Sequence, residues 1–265
     1  MMWFDSHCHI TADVFAEDRR EVLDLATDAG VEGFVAIGSG YGIPHNRRAV
    51  ELAAQDPRVW ASVGVHPHDA AKLDDTGRGE LEALLDAPRV VAVGESGLDY
   101  HYMNSPREVQ REVFAEQVAT ARQRKLPVSI HVRGDEPDAF GEMLDIWNAE
   151  GHGEIRGVLH CYTGSLDFAR RALAANFFVS FSGILTFKND RGLRETAAAL
   201  PLSHLMVETD APLLAPEGFR GRRNEPLHVA RVGETLARVQ GLPPEEVARA
   251  TSRNTRELFG IPAAP

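Results

Sequence analysis

The chain has 265 residues, 43% hydrophobic and 25% charged, which is enough length for one globular unit with a large core. Its net charge of -11 excludes a protein that coats nucleic acid through a general basic face, but not an enzyme that meets a few phosphates in a cleft. Two distant cysteines, Cys8 and Cys161, exclude a disulfide scaffold and favour a reducing cytoplasm, and no apolar run of about 18 residues exists to span a membrane.

The chain starts with a short apolar run, Met2-Trp3-Phe4, that leads into Asp5-Ser6-His7-Cys8-His9. Asp5 arrives too early for a signal-peptide apolar segment to precede it. Residues 3–7 read as a strand whose alternation sends His7 and His9 to one face and Ser6 and Cys8 to the other. A helical stripe through Val22, Leu23, Leu25 and Ala26 predicts a helix over 13–29, closed by Gly30. Further strands are predicted at 33–37, 59–65, 90–94, 127–131, 155–160, 177–181 and 204–208. The clearest helix is 106–125. Ser105 is its predicted N-cap, Pro106 suits the first turn, and Glu108 completes a capping box. Val109, Val113, Phe114, Val118 and Ala121 form its apolar stripe, and Pro127 follows its end. Residues 261–265 are expected to fray. Eight strands alternating with amphipathic helices predict a single-domain (β/α)8 TIM-type barrel over residues 1–265. No long apolar seam stands out, so a monomer is expected.

Polar groups gather at the C-terminal ends of these strands: His7 and His9, His66 and His68, Glu95 and Asp99, His131, His160, and Glu208 with Asp210. In a barrel these ends converge on one face, where active sites of this fold sit. A lone strand-end histidine is more often satisfied or exposed than metal-bound. Four histidines, one glutamate and one aspartate on five strand ends are a different matter, because an apolar strand should not end in a buried charge without a partner or a metal. His7, His9, Glu95, His131, His160 and Asp210 are therefore the candidate ligands. Six nitrogen and oxygen donors exceed one tetrahedral zinc and suit two divalent ions sharing a carboxylate. Zinc, manganese, iron, cobalt or nickel match this donor mix better than magnesium.

These residues carry a resemblance to the TatD family of metal-dependent deoxyribonucleases, among the amidohydrolase-like barrels. It extends from Asp5 to about Phe259, through Asp5-Ser6-His7-Cys8-His9, Gly64-Val65-His66-Pro67-His68 and Gly94-Glu95-Ser96-Gly97-Leu98-Asp99-Tyr100. It continues through Ile130-His131-Val132-Arg133, His160-Cys161-Tyr162-Thr163-Gly164-Ser165 and the run from Ser182 to Asn189. The last matching segments are Glu208-Thr209-Asp210-Ala211-Pro212 and Arg223-Asn224-Glu225-Pro226. Ser96 departs from the bulkier apolar residue usual in the family. As the residue after a ligand, it should face away from the metals. Tyr162 and Thr163 replace the usual Phe and Ser.

The resemblance implies a two-metal phosphodiesterase acting on DNA, commonly from the 3′ end and favouring single strands. It implies that His7, His9 and Asp210 hold one ion, that His131 and His160 hold the other, and that Glu95 bridges. Asp210 is the candidate acceptor for the proton of a metal-activated water. His66 is read as touching the scissile phosphate or protonating the leaving group, against the alternative of a structural turn histidine; His68 carries the same two readings. Arg133, Arg223 and Asn224 are candidate phosphate contacts, since guanidinium pairs well with phosphate; the alternative is a solvated loop or a salt bridge to Glu225. Lys188 is a weaker candidate of the same kind. Asp99 reads as a brace for a ligand histidine or as a loop cap. Glu208 reads as a partner of a ligand or of Arg133. Barrel hydrolases of small amides, lactones or phosphotriesters compete with the nuclease reading, but they often carry a carboxylated lysine where this chain has Glu95. A tRNA-directed ester hydrolase is a further variant.

Overall fold

A computed structural model describes residues 1–136, 138–190 and 192–262. The strands are β1 (Trp3–Cys8), β2 (Val31–Ile37), β3 (Val59–Val63), β4 (Val90–Asp99), β5 (Val128–Arg133), β6 (Gly157–Leu159), β7 (Phe177–Phe181) and β8 (Leu205–Val207). They hydrogen-bond in that order into one eight-stranded sheet. The pairings β3–β4, β4–β5, β5–β6 and β7–β8 are parallel. The helices are α1 (Arg19–Asp28), α2 (His45–Gln55), α3 (Asp75–Leu85), α4 (Arg107–Arg124), α5 (Asp138–Gly151), α6 (Leu166–Ala174), α7 (Leu193–Ala199), α8 (Val229–Gln240) and α9 (Pro244–Phe259). This is the (β/α)8 barrel that the alternation of strands and helices predicts. No helix among the described residues is long and apolar enough to cross a membrane.

The chain packs as two compact units. The first comprises Met1–Val35, His160–Ala174 and Phe178–Pro265; the second comprises Ala36–Leu159 and Ala175–Phe177. In the first unit, β1 and β8 are joined at their ends. Ser6 Oγ donates to Val207 O (3.0 Å), Asp210 N–H to His7 O (2.9 Å) and His9 N–H to Ala211 O (2.7 Å). Trp3, Phe4, Phe15, Phe181, Val232 and Leu236 fill its core. In the second unit Phe114, Val118, Ile130 and Trp147 are buried, and the Trp147 ring lies 4.3 Å from that of Phe177. Strands buried on both faces need such uninterrupted apolar runs.

Several local expectations are corrected. The predicted helix 13–29 divides into a 3-10 turn, Asp13–Phe15, and α1. Leu25 is 48% exposed, because at 3.6 residues per turn it sits roughly 110° from the centre of the Val22, Leu23 and Ala26 stripe. Helix α4 starts at Arg107 with Pro106 in the cap position and no side-chain cap. Ser105 precedes that position, so its hydroxyl serves the loop after β3 instead. It accepts from Ala71 N–H (3.1 Å) and donates to His68 O (3.1 Å). Val109 is only half-buried, while Gln110 and Gln117 are buried on the helix. Ile261 does not fray: it is buried and its N–H bonds Arg256 O (2.9 Å). Residues 263–265 of that expected tail lie outside the described residues.

The largest difference is in β4, which runs on to Asp99 through Gly94-Glu95-Ser96-Gly97, a stretch that reads as a turn. Gly94 pairs with Ser129 and Ser96 with Ile130, so Glu95 is an extra residue in a bulge. Gly97 makes this possible. Its φ is +143°, and a Cβ there would lie 1.9 Å from His131 O. We expect Gly97→Ala to cost at least ~2 kcal/mol, read as a lower urea midpoint, because both the backbone conformation and the close approach of β5 forbid a side chain. An unchanged midpoint would mean that β4 can separate from β5 freely.

Candidate metal centre

In the first unit, four predicted ligands meet. His7 lies in β1, His9 just beyond it, His160 directly after β6 and Asp210 three residues after β8. All four are buried. His7 Nε2 lies 3.4 Å from His9 Nε2. Asp210 Oδ1 lies 3.7 Å from His7 Nε2 and 3.4 Å from His9 Nε2. For metal–ligand bonds of about 2.0–2.1 Å, a tetrahedron has edges of roughly 3.3–3.4 Å, so these atoms are spaced as ligands of one ion. The His160 ring stacks on His7 at 3.8 Å, and His7, His160 and Asp210 offer donor atoms within 4.8 Å of one another.

The surroundings orient these groups. Glu208 Oε1 accepts from Cys161 N–H (2.7 Å) and lies 3.2 Å from His160 Nδ1. It thereby holds the proton on Nδ1 and leaves Nε2 as a donor atom for a cation. Glu208 Oε2 is buried with no hydrogen-bond partner among the described residues. A carboxylate left like that calls for a nearby cation. Asp5, not itself a candidate ligand, accepts from His7 N–H (3.3 Å), Thr209 N–H (2.9 Å) and Thr209 Oγ1 (2.5 Å), tying β1 to the segment that carries Asp210. Burial pushes its carboxyl up to about 8 against the pull of the Thr209 hydrogen bonds. For Asp210, burial acts upward too, but the His9 hydrogen bond and the charges of His7, His9 and His160 outweigh it and hold the carboxyl below its ordinary value. Cys8 faces away, its thiol directed at Val35 O.

In the second unit, the bulge aims Glu95 at two imidazoles. Glu95 Oε1 lies 3.0 Å from His131 Nδ1 and 3.3 Å from His66 Nε2. Asp99 Oδ2 meets His131 Nε2 (3.0 Å) and His68 Nε2 (2.9 Å). These histidine contacts, with the Tyr102 N–H, overcome burial and hold the Asp99 carboxyl far below the usual range. With its proton kept toward Asp99, His131 presents Nδ1 to the Glu95 side. His66 has a different tautomer logic. Its Nδ1 accepts from His68 N–H (3.1 Å), so in the neutral ring the proton must sit on Nε2. Burial lowers its pKa to about 4, although Glu95 pulls the other way. His66 is therefore a neutral N–H donor near Glu95. That geometry suits a hydrogen bond to an anion, and His66, Glu95 and His131 also offer donor atoms within 4.8 Å of one another.

The family model described as "TatD related DNase" matches residues 4–260. The chain belongs to that family. It is 38% identical, over 98% of its length and all of the relative's, to the Bacillus subtilis protein named uncharacterized metal-dependent hydrolase YabD. It is 33% identical to the Salmonella typhimurium protein named 3'-5' ssDNA/RNA exonuclease TatD, covering 97% of this chain and 99% of that one. Among solved structures, the Escherichia coli TatD homolog YJJV superposes with a TM-score of 0.90 at 31% identity, covering 98% of both chains. The protein is thus a TatD-family metal-dependent hydrolase.

Other residues that the TatD resemblance singled out are placed less simply. Arg223 is committed to Asp18 (2.6 Å), Glu225 (2.9 Å) and Val14 O (2.9 Å), over the ring of Phe15. The salt-bridge alternative to a phosphate contact describes it. Asn224 is buried. Its amide donates to Thr209 O (2.9 Å) and Leu213 O (2.7 Å), and its Oδ1 faces Glu225 N–H and His228 Nδ1. These bonds fill its capacity and brace the loop of Asp210. Arg133 is exposed and lies over the Tyr102 ring at 4.6 Å.

Two positioning residues escape the sequence reading. Gln117 accepts from Val65 N–H (2.7 Å) and donates to Val65 O (3.1 Å) and Ser96 Oγ (2.6 Å). Gln110 accepts from Asp99 N–H (2.7 Å) and donates to Asp99 O (3.1 Å) and Ser105 O (2.8 Å). The one signal available is their spacing of seven, which puts both on the face of α4 that should be apolar. Ser96 faces away from Glu95 as expected, and its hydroxyl is a partner for Gln117.

Proposed function

We propose that the protein is a two-metal phosphodiesterase that trims single-stranded DNA from the 3′ end. The observation that carries this reading is the near-tetrahedral spacing of His7, His9 and Asp210, with Asp210 Oδ1 3.4 Å from His9 Nε2. The donor number supports two ions: His7, His9, His160 and Asp210 in the first unit and Glu95 and His131 in the second are more nitrogen and oxygen donors than one tetrahedral ion would use. The substrate is inferred from the Salmonella typhimurium relative, whose name is that of a 3'-5' exonuclease of single-stranded DNA and RNA.

Bound divalent ions would supply an acidified water and charge neutralisation at the phosphate. Asp210, kept ionised by its histidines, orients the attacking water and accepts its proton. His66 holds its Nε2–H for a phosphate oxygen, a role that needs no charge on the ring. Asp99 and Glu208 fix the tautomers of His131 and His160. Asn224 and Asp5 hold the Asp210 loop against β1.

Purified protein supplied with manganese or zinc should shorten 5′-labelled single-stranded oligonucleotides into a ladder that recedes from the 3′ end, and chelator should stop it. Survival of single-stranded DNA, duplex DNA and RNA under every metal tried would overturn the nuclease reading. A parallel arm with bis(p-nitrophenyl) phosphate distinguishes a small-ester hydrolase from an inactive preparation.

A further inference from the structure

We infer that Tyr102, backed by Arg133, is a stacking platform for an unpaired nucleobase of the substrate; the inference rests on the nuclease reading above and names a subsite for it. Tyr102 is 54% exposed, yet its backbone is tied down. Asp99 Oδ1 accepts both His101 N–H (3.0 Å) and Tyr102 N–H (2.8 Å). The other oxygen of the same carboxylate holds His131, a candidate ligand, and His68. The platform is therefore anchored to the carboxylate that orients the candidate metal centre.

The ring itself is clamped upright. His68 meets it at 88° with centroids 5.6 Å apart, and His101 meets it at 80° with centroids 4.8 Å apart. The Arg133 guanidinium lies over the ring at 4.6 Å. Edge-to-face neighbours of this kind hold an aromatic ring in one orientation. A base stacked on the tyrosine would gain π-stacking, and the neighbouring Arg133 offers a cation to the base or its phosphate. Tyr102 stays more than half exposed beside an exposed Arg133 and an exposed Met103.

The chemistry points to a base and not to an apolar peptide. The Arg133 guanidinium beside the ring is a fixed cation in a chain whose net charge is -11, which suits a phosphate next to a base. Every base has a π-face, so such a platform is tolerant of sequence; it excludes duplex, whose bases are already stacked on one another.

The test uses the full-length, manganese-supplied protein as wild type, Tyr102→Phe and Tyr102→Ala. On a single-stranded oligonucleotide, Tyr102→Ala should raise KM about tenfold or more with kcat nearly unchanged, while Tyr102→Phe stays close to wild type. With bis(p-nitrophenyl) phosphate, which offers no base, all three should agree. A 2-aminopurine at the 3′-terminal positions, titrated under chelator, should lose fluorescence on wild type and Tyr102→Phe and keep it on Tyr102→Ala. Equal KM values for wild type and Tyr102→Ala on the oligonucleotide, or equal quenching, overturn the platform while leaving the nuclease reading intact. Turnover of the nitrophenyl ester by a wild type that neither cleaves nor binds oligonucleotides overturns both.

Discussion

Replacing Glu95 with Gln lowers phosphodiester turnover by about 10³-fold or more and removes bound metal, while the protein stays folded. The substitution keeps the shape of the side chain and one carbonyl oxygen, so the β4 bulge and the approach of β5 survive. It removes the negative charge that stands 3.0 Å from His131 Nδ1 and 3.3 Å from His66 Nε2. With the charge gone, His131 Nδ1 no longer faces an anion able to share a cation with it. The His66 N–H keeps an acceptor, so the fold loses little. Metal content measured on the purified variant and its thermal midpoint, set beside wild type, separate the two effects. Wild-type turnover with full metal content would remove Glu95 from the centre.

That residue also shows where the sequence is legible and where it is not. The eight strands and the six candidate ligands are visible because apolar runs, alternation and strand-end polar groups are local patterns. His7 and His9 are two apart at the end of β1, and the alternation that puts them on one side is legible before their 3.4 Å approach is seen. The bulge at Glu95 is hidden, because Gly94-Glu95-Ser96-Gly97 has the composition of a turn; only pairing with β5 keeps it extended. The Ser105 capping box fails for a related reason: a cap motif competes with tertiary partners, and here Ala71 N–H and His68 O win the hydroxyl. The bonds of Arg223 to Asp18 and of Asn224 to Thr209 O and Leu213 O are not legible either, because a sequence shows a side chain's chemistry and not what already occupies it. Gln110 and Gln117 are misread because a polar residue on an apolar stripe looks like noise until the backbone groups of Val65 and Asp99 are found beside it.

The arrangement has a common logic. Each candidate ligand or its strand end is held by a buried polar side chain: Asp5 and Asn224 at the Asp210 loop, Glu208 at His160, Asp99 at His131 and Gln117 between Val65 and Ser96. Buried groups of this kind cost free energy unless satisfied. Apart from Glu208 Oε2, they are satisfied here largely by neighbouring backbone groups, which fixes the donor atoms before any ion arrives. Such preorganisation is what a hydrolytic metal site requires of its protein.

Asp210→Asn is the second large effect. Asp210 sits in the left-handed region, φ +56°, where Asn is well tolerated, and its N–H bond to His7 O is untouched by the change. The variant should therefore fold with the same loop, yet lose about 10²–10⁴-fold in turnover, the range set by removing a positioned proton acceptor. The pH dependence separates charge from shape. Burial alone would raise the Asp210 carboxyl, but His9, His7 and His160 bring it below its ordinary value. A carboxyl lowered on folding stabilises the folded state above the unfolded value, and that stabilisation is lost as pH falls through the folded value. In the presence of chelator, wild type should thus be more stable than Asp210→Asn near pH 7, and the gap should close as pH falls below about 4. Urea midpoints at pH 7 and pH 3 read it directly. A gap that is absent at pH 7, or that widens in acid, would mean that the three imidazoles do not hold Asp210 as an anion.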